Sequence, residues 1–167
     1  FPDNNHAPYE IYVREARRMI GGYVMRQKDL QDERTQENSI GIGSYNSDSH
    51  HVQRFVVDGS PLWEKGIPSL LNEGDVQVPV KPYEIPYSSF VPKREECTNL
   101  LVGCAFSASH VAYSSMRMEP QYMIIGEAAG IAASLALDGK SPVQDIAVPA
   151  LQEKLRTSSK LQPWLER

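Results

Sequence analysis

The stretch SSMRMEPQYMIIGEAAGIAASLAL, residues 114–137, decides how the chain is read. Pro120 suits the first turn of a helix, where the missing N–H has no intrahelical acceptor and φ is already near its helical value. Apolar and small residues then continue to Leu137, and Gly139 supplies a stop signal. A long helix from Glu119 or Pro120 to Leu137 is therefore predicted. Gly126, Ala129, Gly130 and Ala133 recur at steps of three, one and three and share one face. Two interior glycines cost such a helix ~2 kcal/mol relative to alanine. The expectation is a thin flank where another backbone comes close.

The entrance of this helix has its own chemistry. The first N–H groups lack partners, and the positive end of the dipole lies there. Such an end attracts a phosphate, a carboxylate or another electron-rich group. Arg117 adds a full positive charge just ahead of it, and Ser107, Ser109, Ser114 and Ser115 supply hydroxyls in the preceding loop, 105–118.

Outward from that helix, "TNLLVGCAFSAS" (98–109) has a continuous apolar burst at Leu100, Leu101 and Val102 closed by Gly103, the pattern of a strand buried on both faces. Pro8 precedes "YEIYVREARRMI", where Ile11, Ala16, Met19 and Ile20 recur near helical spacing before Gly21-Gly22. Arg14, Arg17 and Arg18 then face Glu10 and Glu15 as a solvated helix face. "YVMRQ" (23–27) resembles a short strand, and 29–37 a polar turn or short helix. "SIGIGSYNSDSHH" alternates apolar residues with glycine before a polar loop, and "VQRFVVDG" (52–59) alternates as a strand. Residues 59–75 read as loop. "VQVPV" (76–80) and "PYEIPYSSFVP" (82–92) hold prolines and suit edge strands or irregular extended chain, not central strands. A last helix is expected over 143–155, presenting Ile146, Leu151 and Leu155. This mixture fits an α/β or α+β class with too few buried strands for a complete doubly wound sheet.

Seventeen basic against twenty-one acidic residues leave a net charge of −4, which supplies no attraction to nucleic acid. Cys97 and Cys104 make neither a disulfide framework nor a zinc pattern. The longest apolar run, Tyr122–Leu137, has sixteen residues, short of the ~20 that span a bilayer, so no membrane is expected. The polar opening Phe1-Pro2-Asp3-Asn4-Asn5 suggests a piece of a longer protein.

Residues 82–137, from PYEIPYSSFVPKREEC to IAASLAL, resemble the C-terminal half of the FAD-dependent oxidoreductases often labelled xanthan-lyase-related. "YEIYVREARRMIGGYVMRQKDL" and "SIGIGSYNSDSHH" are similar to the same family in the same order, so that the resemblance covers residues 8–137. It implies a flavoprotein of glutathione-reductase-like type, with FAD as cofactor. In that architecture a buried strand leads through a loop to a helix whose N-terminal end faces the flavin pyrimidine. "LLVGCAFSAS" would be the strand and loop, and Met118 to Met123 the helix entrance. The implied cofactor contacts are Ser107, Ser109, His110, Arg117, Met118, Pro120 and Met123. The domain reading follows: 1–92 is part of a substrate or cap region, and 93–167 the C-terminal part of a Rossmann-like FAD-binding domain.

The family's G-x-G-x-x-G fingerprint is not in this sequence, and "GIGSYNS" (41–47) is no substitute without a strand-turn-helix around it. The N-terminal βαβ unit that seats the ADP half is therefore expected upstream, in a missing N-terminal half that would be this chain's partner, and the chain alone is expected to bind FAD weakly or not at all.

His50 and His51 follow Asp48 in a polar loop and are read either as catalytic bases or substrate contacts, accepting a proton from a small organic substrate as hydride leaves to the flavin, or as ordinary loop histidines. No metal is expected, since adjacent histidines do not easily face one ion. His110 is read either as a ligand contact or as a helix-capping or core-bonded histidine. Arg117 is read either as an anion clamp or as the partner of Glu119 or Glu127. Tyr83 and Tyr87 line a pocket or only pack. Two functional classes follow. One is part of a hydride-transferring FAD enzyme; the other is a non-catalytic α/β module whose small-residue helix packs on a partner domain. A polysaccharide lyase finds no coherent constellation of residues.

Overall fold

The computed structural model describes residues 2–7, 9, 15–32, 35–57 and 69–158. In chain order these form α1 (Gln27–Gln31), β1 (Ser39–Gly43), β2 (Ser47–Asp48), β3 (Gln53–Val57), β4 (Ser69–Glu73), β5 (Gln77–Val78), β6 (Tyr83–Pro86), α2 (His110–Met116), α3 (Glu119–Gly139) and α4 (Val148–Ser158). The strands pair as three separate two-stranded ladders, β1 with β6, β2 with β5 and β3 with β4, all antiparallel. Helices with small antiparallel sheets make this an α+β arrangement.

Sequence explains the ladder nearest the site. In β1 the glycines let the chain lie flat against a bulky neighbour: Gly43 sits opposite Tyr83, and a Cβ on Gly43 would stand 2.6 Å from the Tyr83 ring. Pro86 closes β6, at a strand end where a missing N–H does little harm.

The long helix appears where predicted, and its C-terminus is a Schellman motif. Ser141 N donates to Ala136 O at 2.9 Å and Lys140 N to Leu137 O at 3.1 Å, so the left-handed residue is Lys140 (φ 49°) and not the glycine before it. α3 packs on β1 and α4. Its buried line is Gln121, Ile125, Ala128, Ala132 and Ala136. Leu151 and Leu155 of α4 are fully buried in the same core, with Ile40, Ile85, Phe90, Phe106 and Met116; each leucine contributes about 1.5–3 kcal/mol by burial. In length and hydropathy α3 would suffice to cross a membrane, yet one side of it is core.

The glycine face does not behave as expected. Gly126 and Gly130 are exposed, with no atom within 4 Å of a built Cβ, and Ala129 and Ala133 are half-buried. At 100° per residue the alanines at 128, 132 and 136 point away from the glycines, and they take the contact within this chain.

Other expectations also change. Residues 98–109 form no strand; Leu100 is exposed, and the segment is held by single contacts, including a bridge from Ala108 to Met25. Phe106 is fully buried in the core, whereas of the Leu-Leu-Val burst Leu101 packs against it only partly buried. Residues 15–20 are not helical, and Met19 N instead donates to Ala105 O at 2.8 Å; residues 10–14 of that expected helix lie outside the described residues. Glu15 and Arg18 are paired, but Arg18 lies over the Tyr113 ring at 5.6 Å instead of on a solvated helix face. "YVMRQ" contributes one bridge, at Met25, before α1 begins. Ser69–Glu73, read as loop, is β4, because β3 supplies the backbone partners its own sequence does not announce. The helix expected over 143–155 splits into a 3-10 turn (Val143–Asp145) and α4.

Candidate functional site

The loop expected before α3 contains a second helix. Ser109 has extended backbone (φ −64°, ψ 162°), and its Oγ accepts from Ala112 N at 3.3 Å, which caps the start of α2. α2 is buried from Ala112 to Met116, so its hydroxyls need partners inside the protein. Ser114 Oγ donates to Val111 O at 2.8 Å. Ser115 Oγ donates to the Tyr45 carbonyl and lies 2.7 Å from the Tyr83 hydroxyl. With the serine proton already given away, Tyr83 is the donor of the second bond. Burial pushes the Tyr83 hydroxyl up to about 12, against the pull of Ser115 and Gln121, which hydrogen-bond to it. It stays protonated at any physiological pH.

The chain then turns sharply into α3. Arg117 ends α2 (φ −78°, ψ 11°), and Met118 opens α3 from an extended conformation (φ −80°, ψ 150°) with no side chain capping the new helix. Arg117 is 4% exposed. Its Nη2 donates to the Asp48 carbonyl at 2.7 Å, while its Nε is buried without a partner. Gln121, also 4% exposed, has an unpartnered Oε1. Ser107, fully buried, has an unpartnered Oγ.

These contacts tie the α2–α3 junction to a cleft of about 770 Å³ lined by residues 44–48 and 77–79. The β2–β5 ladder, with Ser47 opposite Val78 and Asp48 opposite Gln77, joins its two sides. Ser47 Oγ donates to Val111 O at 3.0 Å, fixing β2 to α2. The carbonyls of Tyr45 and Asp48 are thus both gripped from α2, so a cleft wall made of loop is rigid.

The predicted contacts divide. Ser107, Arg117 and Met118 are buried, Arg117 and Met118 at the junction itself. Ser109 serves as the cap of α2. His110 is exposed, its Nδ1 2.7 Å from Glu15 Oε1. Pro120 and Met123 are exposed on the first turns of α3. His50 is exposed and His51 half-buried, with His51 Nδ1 3.7 Å from Asp75 Oδ1 and without a hydrogen bond. Neither lines the cleft, although both follow Asp48, which does. Among the described residues no group of three or more His, Cys, Asp or Glu side chains is placed to hold a metal ion. Tyr87 packs, donating to Val143 O at 2.7 Å, with its hydroxyl pKa raised by burial. Tyr122 is raised too, by burial first and then by Tyr113, whose hydroxyl lies 3.2 Å away.

A family model described as FAD dependent oxidoreductase matches residues 3–155. The chain belongs to that family. No curated protein and no solved structure matches it. For a FAD dependent oxidoreductase the cofactor is FAD, and the junction suits its flavin end. The pyrimidine ring of a flavin presents carbonyl oxygens and an N–H; Arg117 Nε is a buried donor without an acceptor, Gln121 Oε1 a buried acceptor without a donor, and the α3 end carries positive potential. Among the described residues the ADP end finds no such seat. Gly41 and Gly43 lie in β1, and a cleft loop follows them instead of a helix.

Gln121, Tyr45 and the cleft gave no signal in the sequence. Ser115 was visible only as one of several loop hydroxyls, because nothing local says that a seven-residue helix will be buried.

Proposed function

We propose that this chain supplies the flavin-ring side of an oxidoreductase that moves a hydride from a small organic substrate to FAD. The reading rests chiefly on the junction of α2 and α3, where an uncapped helix start is flanked by unpartnered Arg117 Nε and Gln121 Oε1. Arg117, Gln121, Met118 and the N–H groups of the first turn of α3 would hold the ring, with Ser107 behind them. When bound, the flavin supplies a two-electron acceptor. The chain's own part is orientation, charge and proton handling. Positive potential at the start of α3 favours the ring when it carries negative charge. Tyr83, neutral and buried, keeps Ser115 in place and adds no charge of its own.

The proton released by the substrate we assign to His50 and His51. His51 is the better held of the two: it is half-buried, and its Nδ1 lies near the Asp75 carboxylate. The glutathione-reductase-like subtype is supported by the sharp turn into a long helix with an open start.

We further propose that the ADP half of FAD is bound by an N-terminal half carrying the glycine fingerprint, and that the exposed Gly126 and Gly130 face of α3 packs on it. Residues 93–167 would then complete the FAD-binding domain, and 1–92 a substrate region. The same exposed face favours a second reading, a non-catalytic module docked on a partner. Flavin uptake separates the two. A longer protein that joins this chain to the fingerprint should retain visible flavin absorption after gel filtration and lose most of it on Arg117→Met. A folded, colourless protein that takes up no added FAD leaves only the docking reading.

A further inference from the structure

The cleft beside the junction has a chemistry of its own. Its walls carry Tyr45, half-exposed, and the polar side chains of Ser44, Asn46, Asp48 and Gln77. Among the described residues that line it there is no lysine or arginine, and Arg117, which holds the Asp48 carbonyl, has Nη2 committed to that bond. An anion therefore finds no positively charged partner among these described lining residues. An apolar ligand would strip water from hydroxyl, amide and carboxylate groups without replacing their hydrogen bonds. What suits such walls is a ligand with many hydroxyls, each able to donate and accept, and with a flat patch of C–H groups to lie on an aromatic ring.

The polar groups are arranged for that. Asn46 Oδ1 accepts from Val80 N at 3.0 Å, which orients the amide and leaves its Nδ2 group uncommitted among the described residues. Asp48 contributes a carboxylate acceptor and Gln77, paired with it across the ladder, an amide. The backbone beneath does not yield, because Ser115 holds the Tyr45 carbonyl and Arg117 the Asp48 carbonyl. At about 770 Å³ the cleft lies within the ~300–1,000 Å³ of small-molecule sites and accepts one or two pyranose-sized rings.

We infer that this cleft binds a neutral polyhydroxylated ligand, a sugar or sugar-like polyol, with Tyr45 as its stacking platform. As a binding site the inference stands on the cleft alone; as the substrate class of the hydride transfer it rests on the function proposed above.

The test uses ligand-observed saturation-transfer NMR on the chain, which needs no flavin. The probes are a neutral disaccharide, a uronic acid of equal ring size and an aliphatic amine. The expected result is transfer to the neutral disaccharide above the other two. Tyr45→Phe should keep it, and Tyr45→Ala should weaken it about fivefold to tenfold. Tyr45 is half-exposed and gives only its carbonyl to the core, so both variants should keep the wild-type melting temperature. No transfer to the neutral sugar, equal transfer in Tyr45→Ala, or a preference for the acid or the amine overturns the inference. Sugar binding by a longer protein that takes up no FAD would sink the hydride-transfer reading while leaving the cleft assignment standing.

Discussion

Arg117 Nη2 donates to the carbonyl oxygen of Asp48 at 2.7 Å, across sixty-nine positions of sequence. The bond joins the start of the long helix to the wall of the cleft, and it spends the arginine on a structural role while its Nε stays unpaired. A buried guanidinium with one strong bond and one orphaned donor is costly to keep. Its retention makes sense where a ligand acceptor completes the set.

Replacing Arg117 with Met should destabilise the chain by about 1–3 kcal/mol, because the Asp48 carbonyl loses its charged donor. Arg117→Lys should recover little of this, since a single ammonium cannot reproduce the forked geometry. Urea unfolding measures both. Wild-type stability in Arg117→Met would show the bond to be idle.

Gly43→Ala should destabilise by about 1–3 kcal/mol through overlap with the Tyr83 ring, which a Cβ would approach to 2.6 Å. Shortening the neighbour to give Gly43→Ala/Tyr83→Leu should bring the two changes below additivity, as expected for residues in contact. Additive losses would mean that they do not compete for the same space.

Gly126→Ala and Gly130→Ala should each stabilise this chain by about 1 kcal/mol, since the helix gains propensity and the new methyl meets no atom within 4 Å. In the longer flavoprotein proposed above, the same changes should lower flavin occupancy. Stabilisation in both settings would mean that nothing packs closely on that face.

Lys140→Gly should raise stability by about 0.5–1 kcal/mol, because φ at 140 is 49° and the lysine Cβ is strained there. Thermal melts of the two proteins decide it. A lower melting temperature would place the role of Lys140 in its side chain.

Tyr83 gives the pH dependence a sign. Its folded pKa is raised from 10.0 to about 12, so its contribution to stability is complete below pH 10 and is lost as pH climbs toward 12. Tyr83→Phe should flatten that part of the alkaline unfolding curve. An unchanged slope would assign the alkaline loss to other groups.

Much of the frame was legible because its signals are local. Pro120 and the apolar run announce α3, alternation announces β3, and proline placed β5 and β6 away from sheet centres. What failed was whatever depended on a neighbour. Leu100 and Leu101 look like a buried strand, but among the described residues no strand lies beside them to supply backbone partners; the segment is irregular and Leu100 is exposed. β4 had weak signals of its own and exists because β3 pairs with it.

The site divides along the same line. Sequence alone determined that a long, thin helix would begin near residue 119 behind an arginine, with the positive end of its dipole there, because propensity, proline geometry and the helix dipole act over a few residues. Only the tertiary structure decided that a buried seven-residue helix would carry Ser115 and Arg117 to the carbonyls of Tyr45 and Asp48, and that alanines, not glycines, would face the core. Those outcomes depend on which distant backbone groups arrive unpaired, and burial forces each of them to find a partner.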